Sequence, residues 1–180
     1  FEYIDLGGGM GIAYTDNNKK LNYKKYNLAI KKFLKNKKCK IIFEPGRSII
    51  GNTGTLLTKV IYIKDSESKK FIILDAAMND LMRPALYGAT HKIMPLKKIK
   101  SKSKKVYEFV GPICESTDTF LTVKNYQQLN EKDYLIICDV GAYGMSLASN
   151  YNLRPKPLEI LIKNSKIQIL NKRQKISELM

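Results

Sequence analysis

Between Lys40 and Arg47 this chain changes character. Ile41, Ile42 and Phe43 form an apolar run that ends abruptly in Glu44, Pro45, Gly46 and Arg47. The run is too short for a helix, is rich in branched and aromatic residues, and stops at a Pro-Gly breaker, so it reads as a buried strand. A carboxylate and a guanidinium then stand at the C-terminal mouth of that strand. In parallel α/β sheets and barrels this is where loops collect ligands, because side chains there face a crevice and not the packed core. A charged turn without a ligand ends a strand in the same way, and these four residues alone leave both readings open.

Upstream of this stretch the pattern is α/β. Phe1 to Leu6 reads as a strand running into Gly7, Gly8, Gly9, Met10 and Gly11. Without Cβ atoms such a loop can turn several N–H groups toward one point, which suits a phosphate, though a tight structural turn uses the same residues. It is not a dinucleotide fingerprint, since the glycines are bunched and no helix with a suitably placed acid follows. Asp16 or Asn17 is positioned to cap the next element. Tyr26, Ala29, Ile30, Phe33 and Leu34 recur at helical spacing with lysines opposite, an amphipathic helix covering a sheet. Strand, glycine loop, helix and strand make a βαβ unit, and a phosphate shared by two consecutive βα loops belongs to the last strands of a TIM barrel. Because Phe1 already lies inside a strand, the chain is expected to be part of a longer protein.

Downstream of Arg47 the helical pattern gives way to short branched runs at 55–64, 70–75, 104–110, 118–123, 133–140 and 158–162, separated by Gly, Pro, Asn and Ser. This predicts an all-β module. The division expected is residues 1–50 as an α/β barrel remnant and 51–180 as a β-domain. Segments 65–70 and 101–105 read as solvated turns, 124–132 as a helical turn, and 166–180 as a strand followed by a short helix. Three islands fit neither strand nor ordinary turn. Met78 to His91 sets Arg83 and Tyr87 four apart, on one face of a local helix. Gly111 to Asp118 places Cys114 beside Glu115, and Gly141 to Asn152 sets Tyr143 between two glycines. Taken singly, Arg83 also fits a surface ion pair, Cys114 a small buried hydrophobe and Tyr143 a packing residue.

Composition narrows the classes. The net charge of +16 comes from 28 lysines against four arginines. The lysines are dispersed, without aromatic interleaving or a nucleic-acid motif, so a specific nucleic-acid interface is not expected. Arginine survives where a fixed planar fork matters, and Arg47, Arg83 and Arg154 each lie beside Pro or Pro-Gly, fit to grip a carboxylate or phosphate. Three cysteines without a CxxC pair support neither a disulfide framework nor a metal site, and Cys39 and Cys138 are assigned to the core. His91, the only histidine, is given a structural role, since no hydrolytic triad can be assembled around it. No membrane-spanning run or signal peptide is apparent, which fits the cytoplasm.

In order, GGG at Gly7 to Gly9, EPGR at Glu44 to Arg47, RPALYGATH at Arg83 to His91, GPICESTD at Gly111 to Asp118 and GAYG at Gly141 to Gly144 resemble the diaminopimelate decarboxylase family nearly end to end. Asn150 to Leu161 and the tail from Leu170 to Leu179 look like that family's C-terminus. The resemblance implies pyridoxal 5'-phosphate on an alanine-racemase-like barrel, a following β-domain, and a homodimer. It implies that Gly7, Gly8 and Gly9 with the backbone of Glu44, Pro45, Gly46 and Arg47 hold the cofactor phosphate, and that Glu44 faces the pyridine nitrogen. Arg47, Arg83 and Tyr87 would bind substrate carboxylates, Glu115 the distal ammonium, and Tyr143 both cofactor and substrate. Cys114 would be the proton donor, completing the partner's site together with Glu115.

Arg83 and Glu115 together fit a substrate whose far end is itself an amino acid, meso-diaminopimelate, which would be converted to L-lysine and CO2. A related basic-amino-acid or carboxynorspermidine decarboxylase is the alternative within the fold, and a lysine-rich module for nucleic acid or anionic surfaces is the alternative outside it. In the family the Schiff-base lysine and the histidine stacked on the cofactor lie on earlier barrel strands. None of the 28 lysines stands in a matching context, so the chain alone is expected not to decarboxylate and, with the edge at Phe1 to Leu6 and the helix face at Tyr26 to Leu34 uncovered, to aggregate or to dimerise through the β-module.

Overall fold

The computed structural model describes residues 1–15, 19–98 and 100–180. Strand β1 (Tyr3–Asp5) pairs in parallel with β2 (Lys40–Ile42), with Ile4 opposite Ile41, and helix α1 (Tyr23–Leu34) connects them. This is the expected βαβ unit, although both strands are shorter than the apolar runs. Asn22 caps α1, its side-chain oxygen accepting from the Lys25 amide at 3.0 Å. The caps anticipated at Asp16 and Asn17 lie outside the described residues. Lys31 and Lys32 occupy the last turn, where cations complement the helix dipole. Tyr26 meets Phe43 at 6.0 Å between ring centroids, but no residue of α1 is fully buried, and Leu28 stands in the open.

Past Glu44 the chain turns sooner into helix than its sequence suggests. α2 (Gly46–Ile50) starts at the Pro-Gly pair and runs into a 3-10 turn at Gly51–Thr53. The breaker that ends the strand thus stands at the mouth of a helix, with Pro45 as its N-cap at φ −80° and ψ 67°, where a missing amide costs no helical bond.

A six-stranded sheet follows, built from β3 (Leu56–Asp65), β4 (Lys69–Leu74), β5 (Ile93–Pro95), β6 (Val106–Val110), β7 (Thr119–Val123) and β8 (Tyr134–Ile137). Its order is β5-β8-β3-β4-β6-β7, and every neighbouring pair is antiparallel except β4 with β6. Val60, Ile72, Leu74, Tyr107, Phe109, Leu135 and Ile137 point to one side and are sealed from water together with Leu81, Ile93 and Phe120. Tyr126 closes over Phe109 edge to face at 5.1 Å. The two turns expected to be solvated meet each other, Lys105 Nζ reaching Asp65 at 2.5 Å and the Ser66 carbonyl at 2.8 Å.

Two expectations are corrected, and two features were not anticipated. β5 was missed because it is three residues long and ends in Pro95, which a sheet accepts at an edge where no amide is needed. Residues 124–132 form no helical turn, since Asn125 at φ 56° turns the chain out of β7. Cys39, ahead of β2, and Cys138, just past β8, are half-buried and not core residues. The tail does end in a strand and a 3-10 turn, but β10 (Lys166–Asn171) pairs only with β9 (Glu159–Lys163), leaving Ile162, Ile167 and Ile169 exposed. Among the described residues no helix is long and apolar enough to cross a membrane.

The α/β part and the sheet meet backbone to backbone. The Val140 amide donates to the Gly54 carbonyl at 3.0 Å, and the Gly141 amide to the Gly51 carbonyl at 3.0 Å. A Cβ on Gly54 would stand 2.5 Å from the Gly141 Cα, and one on Gly141 would run into the Ile50 carbonyl oxygen. Gly141→Ala is therefore expected to cost roughly 2 kcal/mol or more in denaturant unfolding, as overpacking against backbone does. Gly11→Ala, with open space around it, is expected to change stability little.

Candidate functional site

Because β1 and β2 are parallel, their C-terminal ends and the loops leaving them lie side by side. The Leu6 amide donates to the Ile42 carbonyl at 3.1 Å, and the Glu44 amide to the Gly7 carbonyl at 2.8 Å. Gly7 and Gly9 sit at φ 64° and 77°, conformations that favour glycine. A Cβ on Gly8 would stand 2.5 Å from the Glu44 carbonyl oxygen, so only glycine lets the two loops approach this closely. Asp5 takes the Gly7 amide at 2.7 Å, and Gly46 donates back to the Glu44 carbonyl at 2.9 Å. Glu44 itself is exposed, and no ion pair engages it among the described residues.

The glycine loop then reaches across to the sheet. Ile12 presses on Gly51, where a Cβ would meet its methyl at 2.6 Å. Two residues on, Tyr14 lies edge-on to the imidazole of His91 with ring centroids 5.0 Å apart. The guanidinium of Arg83 lies 4.8 Å from the centroid of the Tyr14 ring.

Arg83 opens the short helix α3 (Arg83–Tyr87), started by Pro84 and closed by Gly88 in the left-handed region at φ 61°. The side chain is 6% exposed. Its Nη1 lies 3.1 Å from His91 Nε2, and His91 Nδ1 lies 2.9 Å from the Cys138 carbonyl. Tyr143, held at φ 66° in its Gly-flanked turn, presents its ring to two arginines, Arg83 at 5.9 Å and Arg47 at 6.0 Å. Neither arginine has a carboxylate partner among the described residues. Two guanidinium groups thus converge on one aromatic ring, one of them buried, an arrangement whose chemistry suits an anion.

The Cys114 loop is built by Asp118. This buried carboxylate accepts from the Met78 amide at 2.7 Å and the Ile113 amide at 2.8 Å, while its backbone pairs with Gly111 and Glu115. Burial pushes the Asp118 carboxyl above its usual range, with those two amides opposing the shift. Any side chain on Gly111 would collide with the same carboxylate. Cys114 and Glu115 are thereby displayed, exposed, at the loop tip, and the Tyr151 hydroxyl donates to Glu115. That bond to Glu115 raises the pKa of Tyr151.

The sequence-derived residues thus fall into three groups. Gly7, Gly8 and Gly9 meet Glu44, Pro45, Gly46 and Arg47 at the strand ends. Arg47, Arg83 and Tyr143 converge, and Cys114 stands beside Glu115. No hydrogen bond, ion pair or ring contact among the described residues joins Cys114, Glu115 or Tyr87 to the arginines. Although Arg83 and Tyr87 are four apart on one helix, Arg83 turns inward while Tyr87 is 66% exposed. Arg154 grips the protein itself, through Asn79 at 2.9 Å, the Asp75 carbonyl at 2.6 Å and Asp80 at 3.7 Å. Tyr14, Asp118 and Tyr151 were not foreseen. Tyr14 stood within the glycine-rich segment as its single aromatic residue, the one signal that pointed to it.

Comparison with known proteins bears on the whole assembly. The family model described as pyridoxal-dependent decarboxylase, C-terminal sheet domain, matches residues 11–141. A diaminopimelate decarboxylase of Aquifex aeolicus is 43% identical over 96% of this chain and 41% of its own length, and one of Helicobacter pylori 41% identical over 98% and 44%. The crystal structure of a diaminopimelate decarboxylase from Helicobacter pylori complexed with L-lysine superimposes with a TM-score of 0.88 at 41% identity, covering 99% of this chain and 43% of that one. The lysine/ornithine decarboxylase of Vibrio vulnificus, complexed with cadaverine, shares the fold with a TM-score of 0.72 at 22% identity, over 84% of this chain and 41% of that one. The chain spans about two fifths of the length of the curated relatives it matches.

The buried imidazole gives the site a pH signature. Burial lowers the pKa of His91 below 6.5, and the Arg83 cation lowers it further, while the Cys138 carbonyl and Asp139 pull the other way. On acidification the unfolded chain is protonated first, so stability is full above pH 6.5 and is lost as pH falls through the lowered native value. Asp80 and Asp118, raised by burial, act in the opposite sense and in the carboxylate range. The melting temperature is expected to fall between about pH 7 and pH 5.5, and to fall less in His91→Gln, which keeps both aspartates and lacks the titrating ring.

Proposed function

The chain belongs to the pyridoxal-dependent decarboxylase family, and from that premise we propose that it is the C-terminal part of a diaminopimelate decarboxylase, releasing CO2 from meso-diaminopimelate to leave L-lysine. The observation that carries this reading is the buried, counter-ion-free guanidinium of Arg83 facing Tyr143 and, across it, Arg47. A substrate with a carboxylate at each end supplies the missing negative charge, whereas a simple diamine acid leaves Arg83 unpaired in the interior. Relatives from Aquifex aeolicus and Helicobacter pylori, 43% and 41% identical to this chain, carry the diaminopimelate decarboxylase name.

The residues at the strand ends fit pyridoxal 5'-phosphate. Gly7 and Gly9 hold conformations that favour glycine, and Gly8 leaves no room for a side chain against Glu44, so the loop offers backbone amides at the mouth of a parallel pair. Gly7, Gly8 and Gly9 with Glu44, Pro45, Gly46 and Arg47 would hold the phosphate, and the Glu44 carboxylate would keep the pyridine nitrogen protonated. Bound there, the cofactor supplies the electron sink for the pair left when CO2 departs.

The other roles belong to side chains. Arg47 and Arg83 bind carboxylates, Tyr87 joins them once ligand is present, and Tyr143 fills the space between cofactor and substrate. Glu115, held by Tyr151, takes the distal ammonium. Cys114 gives its thiol proton to the carbon that has lost CO2. Cys114 and Glu115 serve the partner's site in a cytoplasmic homodimer, which accounts for their separation from the arginines here. Residues 1–50 form the end of the cofactor-binding barrel and residues 51–180 the β-domain.

The full-length protein, supplied with pyridoxal phosphate, is expected to release CO2 from meso-diaminopimelate in preference to ornithine and arginine. Cys114→Ala should lower kcat by at least about a hundredfold, the scale of general-acid catalysis. Arg83→Ala should chiefly raise KM. The 180-residue chain alone is expected to release no CO2. A full-length protein that prefers a substrate lacking the distal carboxylate would refute the roles given to Arg83 and Glu115.

A further inference from the structure

Arg83 is a cation with almost no access to water, and the side chain that orients it is not an acid. Its hydrogen-bond partner is His91, itself 1% exposed. The tautomer of this ring follows from its two contacts. A carbonyl oxygen only accepts, so the 2.9 Å contact with Cys138 requires the proton on Nδ1. A guanidinium only donates, so the 3.1 Å contact with Arg83 requires a bare lone pair on Nε2. Both conditions are met by the neutral ring with Nδ1–H, and by no other form.

We propose that His91 is a positioning residue for ligand recognition: it fixes the plane of the Arg83 guanidinium through an uncharged acceptor, leaving the positive charge of Arg83 available to a substrate carboxylate. The inference rests on the decarboxylase reading and adds a determinant of substrate choice to it. An acidic residue in this place would orient Arg83 equally well but neutralise it, and a ligand carboxylate would then gain little. An apolar residue would leave the charge intact and the fork free to turn. A neutral imidazole meets both requirements.

Tyr14 reinforces the arrangement. It lies against the edge of the His91 ring and offers its π-face to the guanidinium, an attraction that holds a cation without cancelling its charge. Its hydroxyl is buried with no hydrogen-bond partner among the described residues, a cost the fold bears where the ring's position matters. The glycine loop at the end of β1 and the arginine on α3 are thereby joined through one aromatic contact.

Two substitutions separate the two hydrogen bonds of the imidazole. In His91→Asn the amide nitrogen can replace Nδ1 toward Cys138 while the acceptor for Arg83 is lost. In His91→Gln the longer side chain places an oxygen where Nε2 stood, and the bond to Cys138 is lost. Measured in the full-length protein with pyridoxal phosphate, His91→Asn is expected to raise KM for meso-diaminopimelate about tenfold, with kcat within about twofold, as loss of one charged hydrogen-bond partner implies. His91→Gln is expected to keep KM within about threefold of wild type. Melting curves establish that each variant is folded, and if His91→Asn does not fold, His91→Gln decides by itself.

Equal rises in KM for both variants, or a fall in kcat with KM unmoved, would show that the ring only packs. Wild-type protein without CO2 release would overturn the decarboxylase reading and this inference with it. The nitrogen-15 spectrum of the histidine-labelled full-length protein, with the His91 signals assigned by their absence in His91→Gln, reports the tautomer of this ring. A proton on Nδ1 is expected, and a proton on Nε2 would overturn the inference alone.

Discussion

The backbone contact between Gly54 and Gly141 fixes where everything else in the site can be. It ties the short helix that carries Arg47 to the turn that carries Tyr143. The separation of the two backbones is set by the absence of two Cβ atoms, so the geometry is steric before it is chemical. A hydrophobic contact would tolerate small shifts of its side chains. Backbone against backbone does not, and the orientation of Tyr143 between two guanidinium groups inherits that rigidity.

The chemistry built on this frame is a controlled excess of positive charge. Buried cations are normally paired, and even the half-buried Arg154 is. Arg154 spends its donors on Asn79, the Asp75 carbonyl and Asp80, with Asp80 close by as an acid. Arg83 is given an imidazole and two aromatic faces, all of them neutral. The contrast between two arginines on the same domain, one satisfied internally and the other left wanting an anion, distinguishes a structural cation from a ligand-binding one more sharply than sequence context does, since both stand beside a proline.

The residues that converge around Tyr143 and at the strand ends were easier to single out in the sequence than the elements that carry them. EPGR, the glycine cluster and the turn around Tyr143 stood out because they interrupt otherwise regular strands, and interruptions are local. The boundary at which helix gives way to sheet was legible for the same reason, although α2, started by the breaker itself, was not. Tyr14 was marked only by its place beside the glycine cluster, because its contacts are with residues roughly seventy positions away, which no local period encodes. Asp118 looked like the start of a strand, and only the fold shows it accepting amides from two separate segments. The half-buried states of Cys39 and Cys138 depend on strands that end sooner than their apolar runs do.

The single parallel pairing in the sheet, β4 with β6, has a consequence for how the molecule forms. Hairpins zip from their turns, but a parallel pair must first close the intervening chain, here residues 75–105, at a cost in loop entropy. That connection contains α3, Arg83, His91 and β5. The residues around Arg83 are therefore carried on a non-local connection, a kind of joint that forms slowly. Until that joint closes, Tyr107 and Phe109 lack their partners on β4 and remain open to wrong associations. The chain that carries Arg83 and His91 is thus also the chain whose closing covers this part of the core.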